Sequence, residues 1–117
     1  MDLSTFTILP TATLLEAAQA ISGNTSRTVV VVEDYEVNNI IGILSEGDIM
    51  RALLKGSSVH TPVSEIMKVN FKYLEEGTDH SKAKEMFLEY GFGMIPVVSK
   101  DMHLQSVVTM LDCLRET

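Results

Sequence analysis

The chain carries the same polar pattern twice, each time directly after an apolar run. In each copy a hydroxyl residue is followed three residues later by an acid, and three residues after that by an arginine. These residues are Ser45, Asp48 and Arg51 in the first copy and Thr109, Asp112 and Arg115 in the second. An ionised carboxylate offers two acceptor oxygens to the donors of a vicinal diol, and a hydroxyl at a helix N-terminus lies where the dipole favours a phosphate. The repetition therefore predicts two equivalent ligand sites, with the arginines as counter-charges to a phosphate.

Each member of the pattern also has an explanation that needs no ligand. Ser45 and Thr109 are residue types that commonly cap a helix N-terminus, and an aspartate in the first helical turn complements the helix dipole. Arginines at such positions are often solvated. Because both copies occur in register within a longer repeat, the ligand-site interpretation is favoured.

Composition restricts the classes of function. The formal net charge of −7 and the pI of about 4.8 argue against a nucleic-acid or anionic-membrane binder, since both need a basic surface. No stretch approaches the roughly 18 apolar residues of a membrane span, and the N-terminus lacks the features of a signal peptide. The lone cysteine, Cys113, fits a reducing compartment, so we expect a cytoplasmic protein. No nucleophile is paired with a base and no spacing suits a metal, so we expect no enzyme, no metal site and no required cofactor.

Apolar periodicity predicts two amphipathic helices, with stripes from Leu14 to Ile21 and from Ala83 to Tyr90. Their predicted N-caps are Thr13, in a capping box with Glu16, and Asp79, and their predicted ends are Gly23 and Gly91. Two β-branched runs, Val29–Val32 and Ile95–Val98, predict buried strands. Each is followed by a polar turn, a second strand (Ile40–Leu44 or Leu104–Val108) and a last helix (Gly47–Leu54, or from Leu111 onward).

Each half thus has the order strand–helix–strand–strand–helix. The short leading strands are predicted at Phe6–Leu9 and Phe71–Leu74, and the connector at Lys55–Pro62. We divide the chain into repeats 1–57 and 58–117. Because a half of this size covers only one face of a three-stranded sheet, the halves must pack on each other. The predicted fold is α+β or α/β: two β-α-β-β-α repeats about a pseudo-two-fold axis, with two symmetry-related clefts.

Three motifs carry a resemblance to a known family. They are the strand Pro96-Val97-Val98, the pattern Gly-apolar-apolar-Ser/Thr-x-x-Asp that begins at Gly42, and the segment Thr61-Pro-Val-Ser-Glu-Ile-Met67. Together with the order of elements they resemble a tandem cystathionine β-synthase (CBS) domain pair, or Bateman module. More narrowly, residues 47–67 are similar to CBS pairs found ahead of sugar-phosphate nucleotidyltransferase domains.

The resemblance implies regulatory binding of an adenosine-type ligand, commonly AMP, ADP, ATP or S-adenosylmethionine, in clefts between the repeats. It implies that Asp48 and Asp112 bind ribose hydroxyls and that Ser45 and Thr109 bind phosphate or ribose. It places the base against the residues before the Pro-Val-Val strand and their counterparts in the other half. These residues are Met94, Ile95, Thr28 and Val29.

Two features differ from the family pattern. The residues between hydroxyl and acid, often basic in nucleotide binders, are Glu46-Gly47 and Met110-Leu111, so neither motif adds charge for a polyphosphate and Glu46 would repel one. Ser106 stands where the family usually has glycine and would crowd a backbone expected to approach the ligand. We therefore expect AMP or an uncharged adenosyl compound rather than ATP, and different preferences at the two sites.

The expected function is a ligand-sensing regulatory module that controls an attached or partner enzyme, such as a nucleotidyltransferase. Apolar residues predicted on an outer helix, Met50, Leu53 and Leu54, indicate a homodimer. The alternative is a structural dimerisation module whose ligand sites are vestigial.

Overall fold

The two β-branched runs form the central strands of two separate three-stranded sheets. The computed structural model describes residues 2–115, with residue 80 described by its backbone alone. The first half comprises β1 (Thr7–Ile8), α1 (Leu14–Asn24), β2 (Thr28–Val32), β3 (Ile40–Ser45) and α2 (Glu46–Leu54). The second comprises a 3₁₀ turn (Val63–Glu65), β4 (Leu74–Glu75), α3 (His80–Tyr90), β5 (Met94–Val98), β6 (Leu104–Thr109) and α4 (Met110–Arg115).

Strand pairing is the same in both sheets. β1 is parallel to β2 and β2 is antiparallel to β3, and β4, β5 and β6 repeat this arrangement. The antiparallel register places Thr28 opposite Ser45 and Met94 opposite Thr109. The hydroxyl of each polar pattern therefore lies at the open end of a hairpin, beside the first residue of the central strand.

A reciprocal pair of backbone hydrogen bonds joins the two hairpin turns. Ile40 N–H donates to the Met102 carbonyl at 3.0 Å, and Leu104 N–H donates to the Asn38 carbonyl at 2.8 Å. Asn38 and Met102 both have left-handed backbone, with φ of 58° and 65°. Exchanging the halves maps one bond onto the other, as a pseudo-two-fold axis requires. The predicted α+β fold of two β-α-β-β-α repeats is confirmed.

The central strand of the first sheet is buried on both faces. Side chains alternate along a strand, so Val29 packs in a core beneath α1 and α2, whereas Val30 packs against the second half. Met94 and Val98 of the second half complete that shared core. The packing between the halves therefore depends on alternate residues of β2.

Most predicted helix boundaries are confirmed. The capping box of α1 is present, with Glu16 N–H donating to Thr13 Oγ1 at 3.2 Å and Thr13 N–H donating to the Glu16 carboxylate at 3.0 Å. Asp79 caps α3, and Gly91 ends it with φ of 71°. No helix within residues 2–115 has the length and apolarity that a membrane span needs.

The predicted end of α1 at Gly23 was wrong. The helix continues to Asn24, and Thr25 takes the left-handed conformation instead, with φ of 60°. The Asn24 side chain is buried and donates to the carbonyls of Thr5 and Thr28, each at 2.9 Å. These bonds hold the helix end against the neighbouring backbone, which accounts for the extra residue.

The predicted strand Phe71–Leu74 was also wrong in its bounds, because β4 covers only Leu74–Glu75. The chain before it is held elsewhere: Lys68 exchanges two backbone hydrogen bonds with Ile43 of β3, at 3.0 and 2.8 Å. Only from Leu74 onward does the chain lie beside β5.

The connector between the halves packs on the first half. Leu14 N–H donates to the Thr61 carbonyl at 3.0 Å, and Val63 N–H donates to the Ala12 carbonyl at 2.7 Å. Val63 is fully buried in the core of the first half. The repeat boundary at 57/58 stays a prediction, and its outer ends, residues 1, 116 and 117, lie outside the described residues.

Candidate functional site

A cleft of about 650 Å³ lies between the halves, at the open ends of the two hairpins. It brings together four predicted site residues: Thr28, Ser45 and Asp48 from the first half and Met94 from the second. We call it the Asp48 cleft. Its volume falls within the range of roughly 300–1,000 Å³ typical of small-molecule sites.

The chain enters α2 directly from β3, which places Ser45 at the N-cap and Asp48 in the first turn. Asp48 N–H donates to Ser45 Oγ at 3.2 Å, while the Ser45 N–H and hydroxyl donate to Asp48 Oδ2 at 3.0 and 2.9 Å. The capping explanation is therefore correct for Ser45. It does not remove the residue from a ligand site, because both residues also line the cleft.

The other carboxylate oxygen of Asp48 is paired with two cations. Arg51 Nη2 lies 2.8 Å from Oδ1 and Lys68 Nζ lies 3.4 Å from it. Burial by itself would raise the pKa of Asp48. The hydrogen bonds from Ser45, together with Arg51 and Lys68, outweigh it and lower the pKa below its ordinary value. The carboxylate is therefore a fixed anion at neutral pH.

The cleft holds more positive charge than its sequence motif shows. The motif itself offers only Arg51 as a counter-charge, yet Arg27, Lys68 and Lys72 line the same cleft as Glu46. Lys68 and Lys72 come from the segment that leads to β4, outside any recognised motif. The sequence did not predict that these lysines lie in the cleft, because their position depends on the pairing of Lys68 with β3.

Aromatic residues form a further part of the cleft that the sequence did not indicate. The rings of Tyr90 and Phe92 stack, with centroids 5.1 Å apart and planes 20° apart. Lys72 Nζ lies 5.3 Å from the centroid of the Tyr90 ring, a distance at which a cation is attracted to an aromatic face. The run Tyr90-Gly91-Phe92-Gly93, directly before Met94, was the available clue. Stacked rings next to cations suit a ligand with both a flat ring system and negative charge.

A family model for the CBS domain matches residues 1–55 and again residues 63–117. The chain belongs to the CBS domain family. It is a tandem CBS pair, and such a pair is a regulatory rather than a catalytic domain.

Among curated relatives, an uncharacterized protein of Methanocaldococcus jannaschii is 30% identical over 124 residues, covering 93% of this chain and 44% of that protein. Its crystal structure superposes with a TM-score of 0.80 at 29% identity, over 94% of this chain and 45% of that one. The chain spans between 23% and 65% of the length of the curated relatives it matches.

Two solved CBS structures with bound ligands share the fold. A Pyrobaculum aerophilum CBS domain protein complexed with AMP has a TM-score of 0.77 at 22% identity, covering 91% of this chain and 80% of that one. A CBS domain pair complexed with 5′-methylthioadenosine and S-adenosylmethionine has a TM-score of 0.78 at 22% identity, covering 95% and 86%.

The second polar pattern of the CBS pair lies outside the Asp48 cleft. Asp112 N–H donates to Thr109 Oγ1, and Thr109 N–H donates to the Asp112 carboxylate, each at 3.0 Å. Arg115 is exposed in the last turn of α4. Thr109 and Asp112 thus repeat the capping geometry of the first CBS repeat.

Two predicted base contacts have buried side chains. Val29 and Ile95 each have 0% exposed surface and pack in the cores of their own halves. The residues before them, Thr28 and Met94, line the cleft instead. Strand alternation accounts for the difference, since neighbouring side chains point to opposite faces.

The reason expected for the family glycine was wrong. A Cβ at Gly42 would lie 2.7 Å from Met67 Sδ and 3.2 Å from the Lys68 carbonyl, so the glycine admits the connecting segment rather than a ligand. Ser106, its counterpart, lines a separate cavity of about 350 Å³ that includes Glu75 and Thr78. The crowding expected from Ser106 concerns the second site and stays a prediction.

Proposed function

We propose that this CBS pair is a regulatory module that binds an adenosine-type ligand, AMP or an adenosyl compound, in the Asp48 cleft. The observation that carries the proposal is the buried, ionised Asp48 at the N-terminus of α2, facing a cleft that also holds aromatic rings and lysines. The related folds with AMP, 5′-methylthioadenosine or S-adenosylmethionine bound support the ligand class.

Each part of the cleft suits one part of such a ligand. The Asp48 carboxylate accepts from the ribose hydroxyls, and the N-terminus of α2 with Ser45 favours a phosphate. Thr28 and Met94 contact the base, beside the Tyr90–Phe92 stack. Arg51 is outside the cleft lining and positions Asp48 through its ion pair.

AMP is the first nucleotide to test. The cations of the cleft favour a phosphate, whereas the Glu46 carboxylate in the same cleft repels an extended polyphosphate. Thr109, Asp112 and Arg115 are proposed as the corresponding groups of a second site in the second repeat.

Isothermal titration calorimetry with AMP, ATP and S-adenosylmethionine tests the assignment. We expect AMP to bind the parent chain and to bind Asp48→Asn at least tenfold more weakly, because the amide replaces the charged acceptor. Asp112→Asn is the matched control and should leave binding in the Asp48 cleft unchanged. Loss of AMP binding in Asp112→Asn alone would contradict the assignment, and ATP binding much more tightly than AMP would contradict the ligand preference.

The regulated protein is also a proposal. The chain spans less than half of the Methanocaldococcus relative, and the sequence resemblance indicates an attached or partner enzyme such as a sugar-phosphate nucleotidyltransferase. Co-purification of the chain with such an enzyme, followed by an AMP titration of its activity, checks this step. An activity that does not respond to AMP would contradict it.

Exposed apolar residues favour a second function, structural dimerisation with vestigial sites. Met50, Leu54 and Leu114 are 56%, 80% and 64% exposed on α2 and α4, and exposed apolar patches are typical of protein–protein interfaces. A homodimer of CBS pairs would bury it. A chain that is dimeric by light scattering but shows no thermal shift with AMP, ATP or S-adenosylmethionine would favour this function over ligand sensing.

A further inference from the structure

The position of Lys68 suggests a role in ligand choice that neither CBS motif assigns. Its backbone is fixed on β3 by the two hydrogen bonds with Ile43, while its side chain is 61% exposed and lines the Asp48 cleft. A lysine side chain has four rotatable carbon–carbon bonds and a compact ammonium group. Lys68 can therefore redirect its charge within the cleft without any movement of its backbone.

Asp48 must give up a partner before it can accept from a ribose. Oδ2 already accepts from the Ser45 N–H and hydroxyl, and Oδ1 is shared by Arg51 and Lys68. Arg51 is the tighter partner at 2.8 Å and belongs to the same helix as Asp48. Lys68 is the looser one at 3.4 Å, and its ammonium group reaches the pair from a side chain that is 61% exposed, so solvent screens its charge. Lys68 is thus the partner that a diol displaces most easily.

A second ammonium group lies in the same cleft. Lys72, four residues later, has its Nζ 5.3 Å from the Tyr90 ring centroid, an interaction that is also weak at an exposed site. Both lysines hold partners that a phosphate would outcompete, since phosphate forms short, charge-assisted hydrogen bonds.

We propose that Lys68 is a specificity-determining residue that leaves Asp48 when the ribose binds and pairs with the phosphate of the same ligand, beside Lys72. The proposal rests on the function proposed above and adds the choice between phosphorylated and unphosphorylated ligands. Lys68 opposes binding of a plain nucleoside, because it competes with the ribose for Asp48. It supports binding of a nucleotide, because its ammonium group then pairs with the phosphate.

Calorimetry with AMP and adenosine, on the parent chain and three single variants, tests the proposal. In Lys68→Gln we expect AMP to bind about tenfold more weakly and adenosine about two- to fivefold more tightly, since one competitor for Asp48 is gone. In Lys72→Gln we expect weaker AMP binding with no change for adenosine. Lys100→Gln, on the hairpin turn at the opposite end of β5, changes the same charge away from the cleft and should alter neither.

The outcomes separate this proposal from the general function. If AMP and adenosine weaken equally in Lys68→Gln, the residue only supports the cleft structure and the proposal is overturned. It is also overturned if AMP weakens while adenosine stays unchanged, because no exchange then occurs at Asp48. If the parent chain binds neither ligand, the proposed function itself fails. Thermal unfolding of each variant confirms that the fold is retained.

Discussion

The contact between the halves at Gly93 should make this position intolerant of any side chain. An added Cβ would overlap the backbone carbonyl of Ser26, in the other half. Ser26 is buried and cannot retreat easily, because its N–H and hydroxyl both donate to the Asn24 side chain, at 2.9 and 3.0 Å. A rigid backbone atom on one side and a strand on the other leave no flexible group to move.

The magnitude follows from the overlap. Overpacking of this kind costs about 1–3 kcal/mol, and in a chain of 117 residues each kcal/mol lowers the melting temperature by about 4 °C. We expect Gly93→Ala to melt roughly 4–12 °C below the parent chain and to bind AMP more weakly, since Gly93 also lines the Asp48 cleft.

The same substitution at Gly23 is the matched control and should have the opposite sign. Gly23 lies in the last turn of α1, and a Cβ there would have no neighbour within 4 Å. Alanine is favoured over glycine by about 0.5–1 kcal/mol in the middle of a helix and by less near its end, so Gly23→Ala should melt up to about 2 °C above the parent. Urea and thermal unfolding followed by circular dichroism measure both. Equal stability of Gly93→Ala and the parent, or destabilisation by Gly23→Ala, would refute the packing argument.

Three further predictions concern the charged site, a cap and the core. The pKa of Asp48 in the folded chain is lowered from 3.8, so its contribution to stability is present above that value and is lost as the pH falls through the lowered pKa. The unfolding free energies of Asp48→Asn and the parent, measured in urea, should differ at pH 7 and converge in acid. A difference that stays constant with pH would contradict the ionised pair. Thr13→Ala should lose about 1 kcal/mol through the capping box, whereas exposed Thr11→Ala should change the unfolding free energy by less than about 0.5 kcal/mol; equal effects would rule out the cap. Val29→Ala should destabilise the chain by about 2 kcal/mol or more and leave its AMP affinity unchanged. Thr28→Val should leave the unfolding free energy nearly unchanged and weaken AMP binding, as measured by calorimetry.

Local sequence patterns were sufficient to predict most of the helices, strands and caps. The valine run of β2 and the stripe of α1 have the correct periods, and the Thr13–Glu16 box is a contact between residues three apart. Such features depend on neighbours in sequence, so they are readable without the tertiary structure. Gly23 failed as a helix end because a buried contact of Asn24, with residues outside the helix, decided the boundary.

The charge of the cleft could not be predicted in the same way. Asp48 and Lys68 are brought together by an isolated pairing of Lys68 with β3, in a segment with no strand periodicity. Because Lys68 pairs with β3, the chain joins β5 only at Leu74, later than the strand predicted at 71–74. The direction of Val29 into the core, away from the cleft, depends on the strand register, since a shift of one residue exchanges the two faces.

The reciprocal bonds at Asn38–Met102 make the contact between the halves isologous, although both halves belong to one polypeptide. Each half supplies one donor and one acceptor of the same kind, as each subunit does in a symmetric dimer of identical chains. Because all four groups are main-chain atoms, no side-chain hydrogen bond is needed to make this contact. The two repeats can therefore differ at their ligand motifs, as they do at Glu46-Gly47 and Met110-Leu111, without changing the hydrogen bonds that join the hairpin turns.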